Sequence, residues 1–150
     1  MSDIRNSMTP TKRMAKLLAE MHYYYAKELI ARLGPEEGRA AISAALKNMA
    51  NSRIAAMKQD AIEQGLTPSG KAVYKKIKDF PTPDWDRDKN GKVSYCPMAE
   101  TWATYEDGVE IGGLYCAIDY DLYAGFGMEL KRPECLGEGG TCCDFQPKEL

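Results

Sequence analysis

The chain has one histidine, His22, among 150 residues. A Cys-His or Ser-His-Asp arrangement therefore has a single candidate base, far in sequence from any cysteine. No apolar run approaches the roughly 20 residues that a bilayer span needs. The opening MSDIRNSMTPTKR has no apolar signal core, so the protein is expected in the cytoplasm. No CxxC pair, internal repeat or low-complexity tract is present. Hydrophobic residues at 44% and charged residues at 28% give an ordinary globular balance, which excludes a disordered or collagen-like chain. Five cysteines in a cytoplasmic chain are expected as thiols, metal ligands or a nucleophile rather than disulfides.

The charge that is present is unevenly placed. Residues 1–92 carry 17 Lys and Arg against 11 Asp and Glu, and residues 93–150 carry 3 against 11. All five cysteines (Cys96, Cys116, Cys135, Cys142 and Cys143) lie in the acidic part. The lysines of the basic part form no run, so the split points to two halves that attract each other rather than to nucleic acid. One domain over 1–150 is expected, with a helical part over 1–78, a connector over 79–92 and an α+β part over 93–150.

Two long helices open the chain. Thr9 fits an N-cap and Pro10 a first helical position. Met14, Leu17, Leu18, Met21, Tyr25, Leu29 and Leu33 trace an apolar stripe expected to face the core. Gly34-Pro35 ends this helix and starts the next, where Ile42, Leu46, Met49, Ala50, Met57 and Ala61 give a second stripe. Gly65 with Leu66 reads as its glycine cap. A short helix over 69–78 follows. Strands are expected at 92–96, 128–136 and 141–147, the last two joined by a Gly137–Gly140 turn, with helices over 98–106 and 113–125. The fold class is α+β: N-terminal helices packed on a small antiparallel sheet with a C-terminal β-hairpin.

Asp86-Arg87-Asp88-Lys89-Asn90-Gly91 matches the opening of a calcium loop, but position twelve is Pro97 instead of a bidentate glutamate. Asn90-Gly91 reads instead as a type I′ hairpin turn. His22 reads as a partly buried helix-face residue. Cys116 follows Gly112-Gly113 and is expected in the first turn of a helix, where free N–H groups lower a thiol pKa. Asp119 then shares its face. Cys143 is expected to face a pocket with Phe145, and Cys142 to look outward. Cys135 is expected to have no donor. Three uses of these cysteines stand open: a catalytic thiol, a zinc or iron–sulfur site, and small core hydrophobes. The spacings match no standard metal knuckle, so no metal on the cysteines and no cofactor are expected.

Tyr95-Cys96-Pro97, Tyr115-Cys116 with Asp119, Leu136-Gly137-Glu138-Gly139 and Cys143-Asp144-Phe145 together resemble the L-2-amino-thiazoline-4-carboxylic acid hydrolase family. The resemblance implies hydrolytic opening of a small cyclic isothiourea to a carbamoyl-cysteine. On that basis Cys116, Asp119 and Cys143 are candidate catalytic residues, and Cys96, Tyr95 and Tyr115 candidate substrate contacts. Arg53, Lys131 and Arg132 are the candidates for holding a substrate carboxylate. A terminal hairpin ending in Cys-x-Phe also looks like the non-catalytic, small-molecule-binding domains of the 4-vinyl-reductase type. Surplus apolar residues on the first two helices, including Tyr23, Tyr24, Met49 and Ile54, suggest a homodimer. No nucleic acid or membrane partner is expected.

Overall fold

Thr9 and Pro10 start the first helix, as their residue types lead one to expect. In the computed structural model, which describes residues 7–150, α1 spans Pro10–Leu33, and the Thr9 side chain accepts the Lys12 amide at 3.1 Å. Part of the N-terminal stretch scanned for a signal core lies outside the described residues. Gly34 turns the chain at φ +88°, and Pro35 opens α2, Pro35–Glu63. The two helices pack on each other closely: a Cβ at the buried Gly38 would overlap the Ile30 backbone. The α2 end is capped as the sequence indicates, with Gly65 N donating to Ile62 O at 2.9 Å and Leu66 N to Ala61 O at 2.8 Å.

The shorter elements are α3 (Lys71–Ile77), β1 (Asp86–Arg87), β2 (Val93–Tyr95), α4 (Pro97–Trp102), α5 (Gly108–Cys116), α6 (Ile118–Gly125), β3 (Met128–Lys131) and β4 (Gln146–Glu149). The class is α+β. The strands form two antiparallel ribbons, β1 with β2 and β3 with β4, linked by a single bridge between Val93 and Cys143. Outside each other, α1 packs mainly on α4 and α5, and α2 on α5 and α6, so the long helices rest on short helices. The core centres on Trp102, Leu122, Phe126 and Met128, each fully buried. Trp102 Nε1 donates to Ala19 O at 3.0 Å and ties α4 to α1. No helix among the described residues is long and apolar enough to cross a membrane.

Several expectations are corrected. The α1 stripe is only partly turned to the core: Leu18 and Leu29 pack against it, but Ala15, Ala19, Tyr23 and Ala26 are the buried residues, while Met14, Leu17, Met21, Tyr25 and Leu33 are exposed. Small residues let α1 approach its neighbours closely, which bulky ones would prevent. Tyr23, expected on the outside, stacks on Tyr105 and donates to Asp107. The single helix expected over 113–125 is divided at Ala117, which places Cys116 at the last position of α5 rather than in a first turn. The terminal strands are shorter than expected, and the chain between them holds a one-turn 3-10 helix at Leu136–Glu138 in place of a tight turn. The 88–92 turn is not type I′: Gly91 alone has positive φ there, and Gly91 N donates to Asp88 O at 3.0 Å. Asp88 Oδ1 accepts the amides of Asn90 and Lys92 at 2.8 and 3.0 Å, so this carboxylate serves the turn itself.

Candidate functional site

The end of β2, the end of α5, the start of α6 and the long β3–β4 connection meet around one cavity of about 110 Å³. A single water needs roughly 10–15 Å³ on this scale, so the space suits a small substituted ring. Cys96, Tyr115, Cys116, Asp119 and Cys143 all line it, as do Arg132 and Cys135. Tyr95 does not. β2 ends at Tyr95 and Pro97 opens α4, so the chain turns at Cys96 and carries the Tyr95 ring toward Lys12, whose Nζ lies 5.1 Å from the ring centre. Trp85, Phe80, Tyr74 and Phe145 supply aromatic walls, and Arg53, Lys78 and Arg87 add positive charge.

Arg132 continues the alternation of Met128 and Leu130 off the end of β3, which turns a charged side chain inward. The side chain is fully enclosed. Its Nη1 donates to Asp119 Oδ2 at 2.8 Å and to Cys116 O at 3.0 Å. Its Nε and Nη2 are buried without a hydrogen-bond partner, as is the Tyr115 hydroxyl on the same cavity. Nη2 approaches Glu138 Oε1 only to 3.8 Å. Buried donors are normally satisfied, so three orphaned polar atoms around one cavity describe a place for a polar ligand. Of the other two carboxylate-binding candidates, Arg53 is held by both oxygens of Asp79 at 2.9 and 2.6 Å, and Lys131 is exposed outside the cavity.

Three thiols gather beside this guanidinium. Cys135 is buried and interacts with the thiols of Cys116 and Cys143. Hydrogen bonding from Cys116 and Cys143, aided by Arg132 and the Gly137 amide, holds Cys135 well below the usual thiol range despite its burial. The same contacts, with burial added, push Cys116 and Cys143 up. Three neighbouring thiols thus stand beside one cation, an arrangement that favours a negative charge on sulfur at Cys135 over Cys116 and Cys143. This corrects two expectations. Cys116 ends a helix and has no helix N-terminus to acidify it, and Cys135 does have donors. Leu136 N adds a bond of 3.2 Å to Cys143 Sγ. Burial raises Asp119, and Arg132 opposes that rise. Burial likewise takes the Tyr115 hydroxyl up to about 12.

Of the remaining groups, Cys142 and His22 fall outside the cavity, while Cys96 lines it. Cys142 faces away, as expected, and donates to Glu134 Oε2 at 3.2 Å. Cys96 caps α4, where burial raises its thiol against the opposing amides of Ala99 and Met98. His22 lies off the cavity, its Nε2 2.9 Å from Ile111 O, and burial lowers its pKa. Among the described residues, no group of three or more His, Cys, Asp or Glu is arranged to hold a metal ion.

Gly137 makes the thiol cluster possible. A Cβ there would overlap Cys116 Sγ and crowd the Trp102 ring. Gly137→Ala is expected to keep the fold while displacing Cys116, and to lower turnover by about a hundredfold, the usual cost of an ångström-scale misplacement. Steady-state rates beside a thermal melt check this.

A family model described as L-2-amino-thiazoline-4-carboxylic acid hydrolase matches residues 12–146 of the chain. Neither the curated proteins nor the solved structures contain a match.

Proposed function

The chain belongs to the L-2-amino-thiazoline-4-carboxylic acid hydrolase family, and from that premise we propose that it hydrolyses a small cyclic amidine or isothiourea bearing a carboxylate. The observation that carries this reading is the orphaned Nε and Nη2 of a buried arginine that borders both Asp119 and a cluster of three cysteines. A carboxylate satisfies those two donors in bidentate fashion. It replaces two unmade hydrogen bonds with charge-assisted ones, and it anchors the ring against the thiols.

In the proposed reaction, the Cys135 thiolate adds to the ring carbon flanked by two nitrogens and a sulfur. The C=N electron pair moves onto nitrogen, which takes a proton. A nitrogen lone pair then re-forms C=N and expels the ring sulfur, which takes a proton, so the ring opens and an isothiourea stays linked to Cys135. Water attacks the same carbon, loses a proton, and expels the cysteine sulfur as thiolate, so the enzyme is restored and one water is consumed. Asp119, raised by burial and held by Arg132, is placed to give and take these protons. Cys116 and Cys143 donate to the thiolate in the resting state and stabilise it when it leaves again.

The test is direct. Purified protein incubated with 2-amino-thiazoline-4-carboxylate is expected to give a ring-opened product one water heavier, and intact-mass spectra of acid-quenched protein to show a covalent adduct on the Cys135 peptide. Absence of ring opening overturns the hydrolase reading. Turnover with no adduct, retained in Cys135→Ser, overturns the covalent route.

A further inference from the structure

Helix α1 carries a second apolar face that the fold leaves uncovered. Met14 (64% exposed), Leu17 (38%), Met21 (53%), Tyr24 (59%) and Tyr25 (68%) lie along it. Met14, Leu17, Met21 and Tyr24 recur at steps of three, four and three, the spacing of a helix-pairing seam. They stand on the side of α1 opposite Ala15, Ala19 and Ala26, which face the core. On α2, which packs on α1, Ala44, Ala45, Ala55 and Ala56 are exposed. None of the cavity's lining residues comes from α1. The seam is therefore separate from the site above and does not depend on the hydrolase reading.

We propose that this face is a two-fold interface with a second copy of the chain, formed by antiparallel pairing of α1 about Met21. Three features favour a second copy. The first is self-complementarity: a two-fold axis at Met21 lays the seam of one copy along the same seam of the other, which is the condition for an isologous contact. The second is area. A 24-residue helix is about 36 Å long. With α2 alongside, the outer face of the pair covers roughly 700 Å², near the ~800 Å² per partner of a stable interface. The third is charge. Arg13 lies toward one end of the seam and Glu28 toward the other. Antiparallel pairing centred on Met21 sets Leu17 against Tyr25 of the second copy and brings Arg13 near its Glu28. Parallel pairing sets Arg13 against Arg13.

Sedimentation equilibrium at about 50 µM is expected to give twice 16.7 kDa for the intact chain. Met21→Glu puts two carboxylates on the two-fold axis and is expected to weaken association at least a hundredfold, leaving a monomer. Its far-UV spectrum and melting midpoint stay near those of the parent at concentrations where both are monomeric, because Met21 is already exposed. Leu17→Lys is a second variant with the same expected outcome should Met21→Glu melt early. Met21→Cys under mild oxidation is expected to give, by mass spectrometry, a disulfide-linked peptide that joins the substituted position of one copy to the same position of the other. A monomeric parent at 50 µM, a dimer that persists in both charged variants, or cross-linked chains lacking that symmetric peptide would each overturn the proposal.

Discussion

Arg132→Met is expected to weaken binding of a carboxylated substrate by a hundredfold or more while leaving the fold intact. The guanidinium has no exposed surface, and only one of its three nitrogens is engaged by the protein. Truncating one member of a buried, hydrogen-bonded charge pair costs about 2–5 kcal/mol, or roughly thirty- to several-thousandfold. Asp119, its other partner, keeps 29% of its side-chain surface exposed, so water takes over part of its solvation and limits the loss of stability. Methionine also preserves most of the packing against Tyr120 and Phe145, over whose rings the guanidinium lies at 5.0 and 5.6 Å. The discriminating measurement compares 2-amino-thiazoline-4-carboxylate with 2-amino-thiazoline itself. If Arg132 holds the carboxylate, the variant loses its preference between the two, with most of the change in KM for the acid. Arg132→Lys keeps the charge but not the fork, and is expected to recover only part of that preference. An equal loss for both compounds would show that Arg132 acts on the thiolate alone and that the carboxylate is bound elsewhere.

Local chemistry carried the helix limits into the structure. Thr9-Pro10, Gly34-Pro35 and Gly65-Leu66 each cap or start a helix through their own backbone and side-chain preferences, and they do so where they stand in the sequence. The side that a helix buries is another matter. Period alone cannot distinguish an apolar face turned to the core from one turned to a second molecule, and in α1 the core side is the alanine side. The thiol site was legible in part. Cys96, Cys116, Asp119 and Cys143 share a cavity, although the settings of Cys116 and Cys143 differ from those expected. The division after Cys116 was hidden because Ala117 keeps nearly helical angles, φ −63° and ψ −18°. Arg132 and Cys135 were the residues undervalued. Charged side chains are assigned to the surface by default, yet the two-residue period from Met128 through Leu130 already points Arg132 inward. For Cys135 no comparable signal exists. Its donors come from residues brought close by the 3-10 turn and by the bridge of Cys143 to Val93, contacts that depend on the closed loop.

One thiolate per chain is expected in the native protein at pH 6.5, read as ultraviolet absorbance near 240 nm that vanishes on unfolding in denaturant at the same pH. Unfolded thiols titrate near 8.5 and contribute almost nothing there. Cys135→Ser is expected to abolish the signal and to lower turnover by at least ~10³-fold, since it removes the nucleophile. Cys116→Ser leaves a hydroxyl donor and should retain the signal, with its titration moved upward because a sulfur partner has changed. The signs for stability follow from the same shifts. Cys135, depressed in the folded state, stabilises fully above the free-thiol value of about 8.5, and that contribution is lost as pH falls toward its folded value. Cys116 and Cys143, raised in the folded state, contribute fully below about 8.5 and lose that contribution as pH rises through their folded values. The thiol contribution therefore peaks near the free-thiol pKa. Between pH 6 and 8 it grows by up to about 1.4 kcal/mol per pH unit, the weight of one proton. Denaturant titrations of the parent and of Cys135→Ala over that range isolate it, because the variant has no thiolate to release and its stability loses that slope. A native chain with no absorbance at pH 6.5, or a slope unchanged in Cys135→Ala, would place the negative charge elsewhere and leave Asp119 with an activated water as the means of opening the ring.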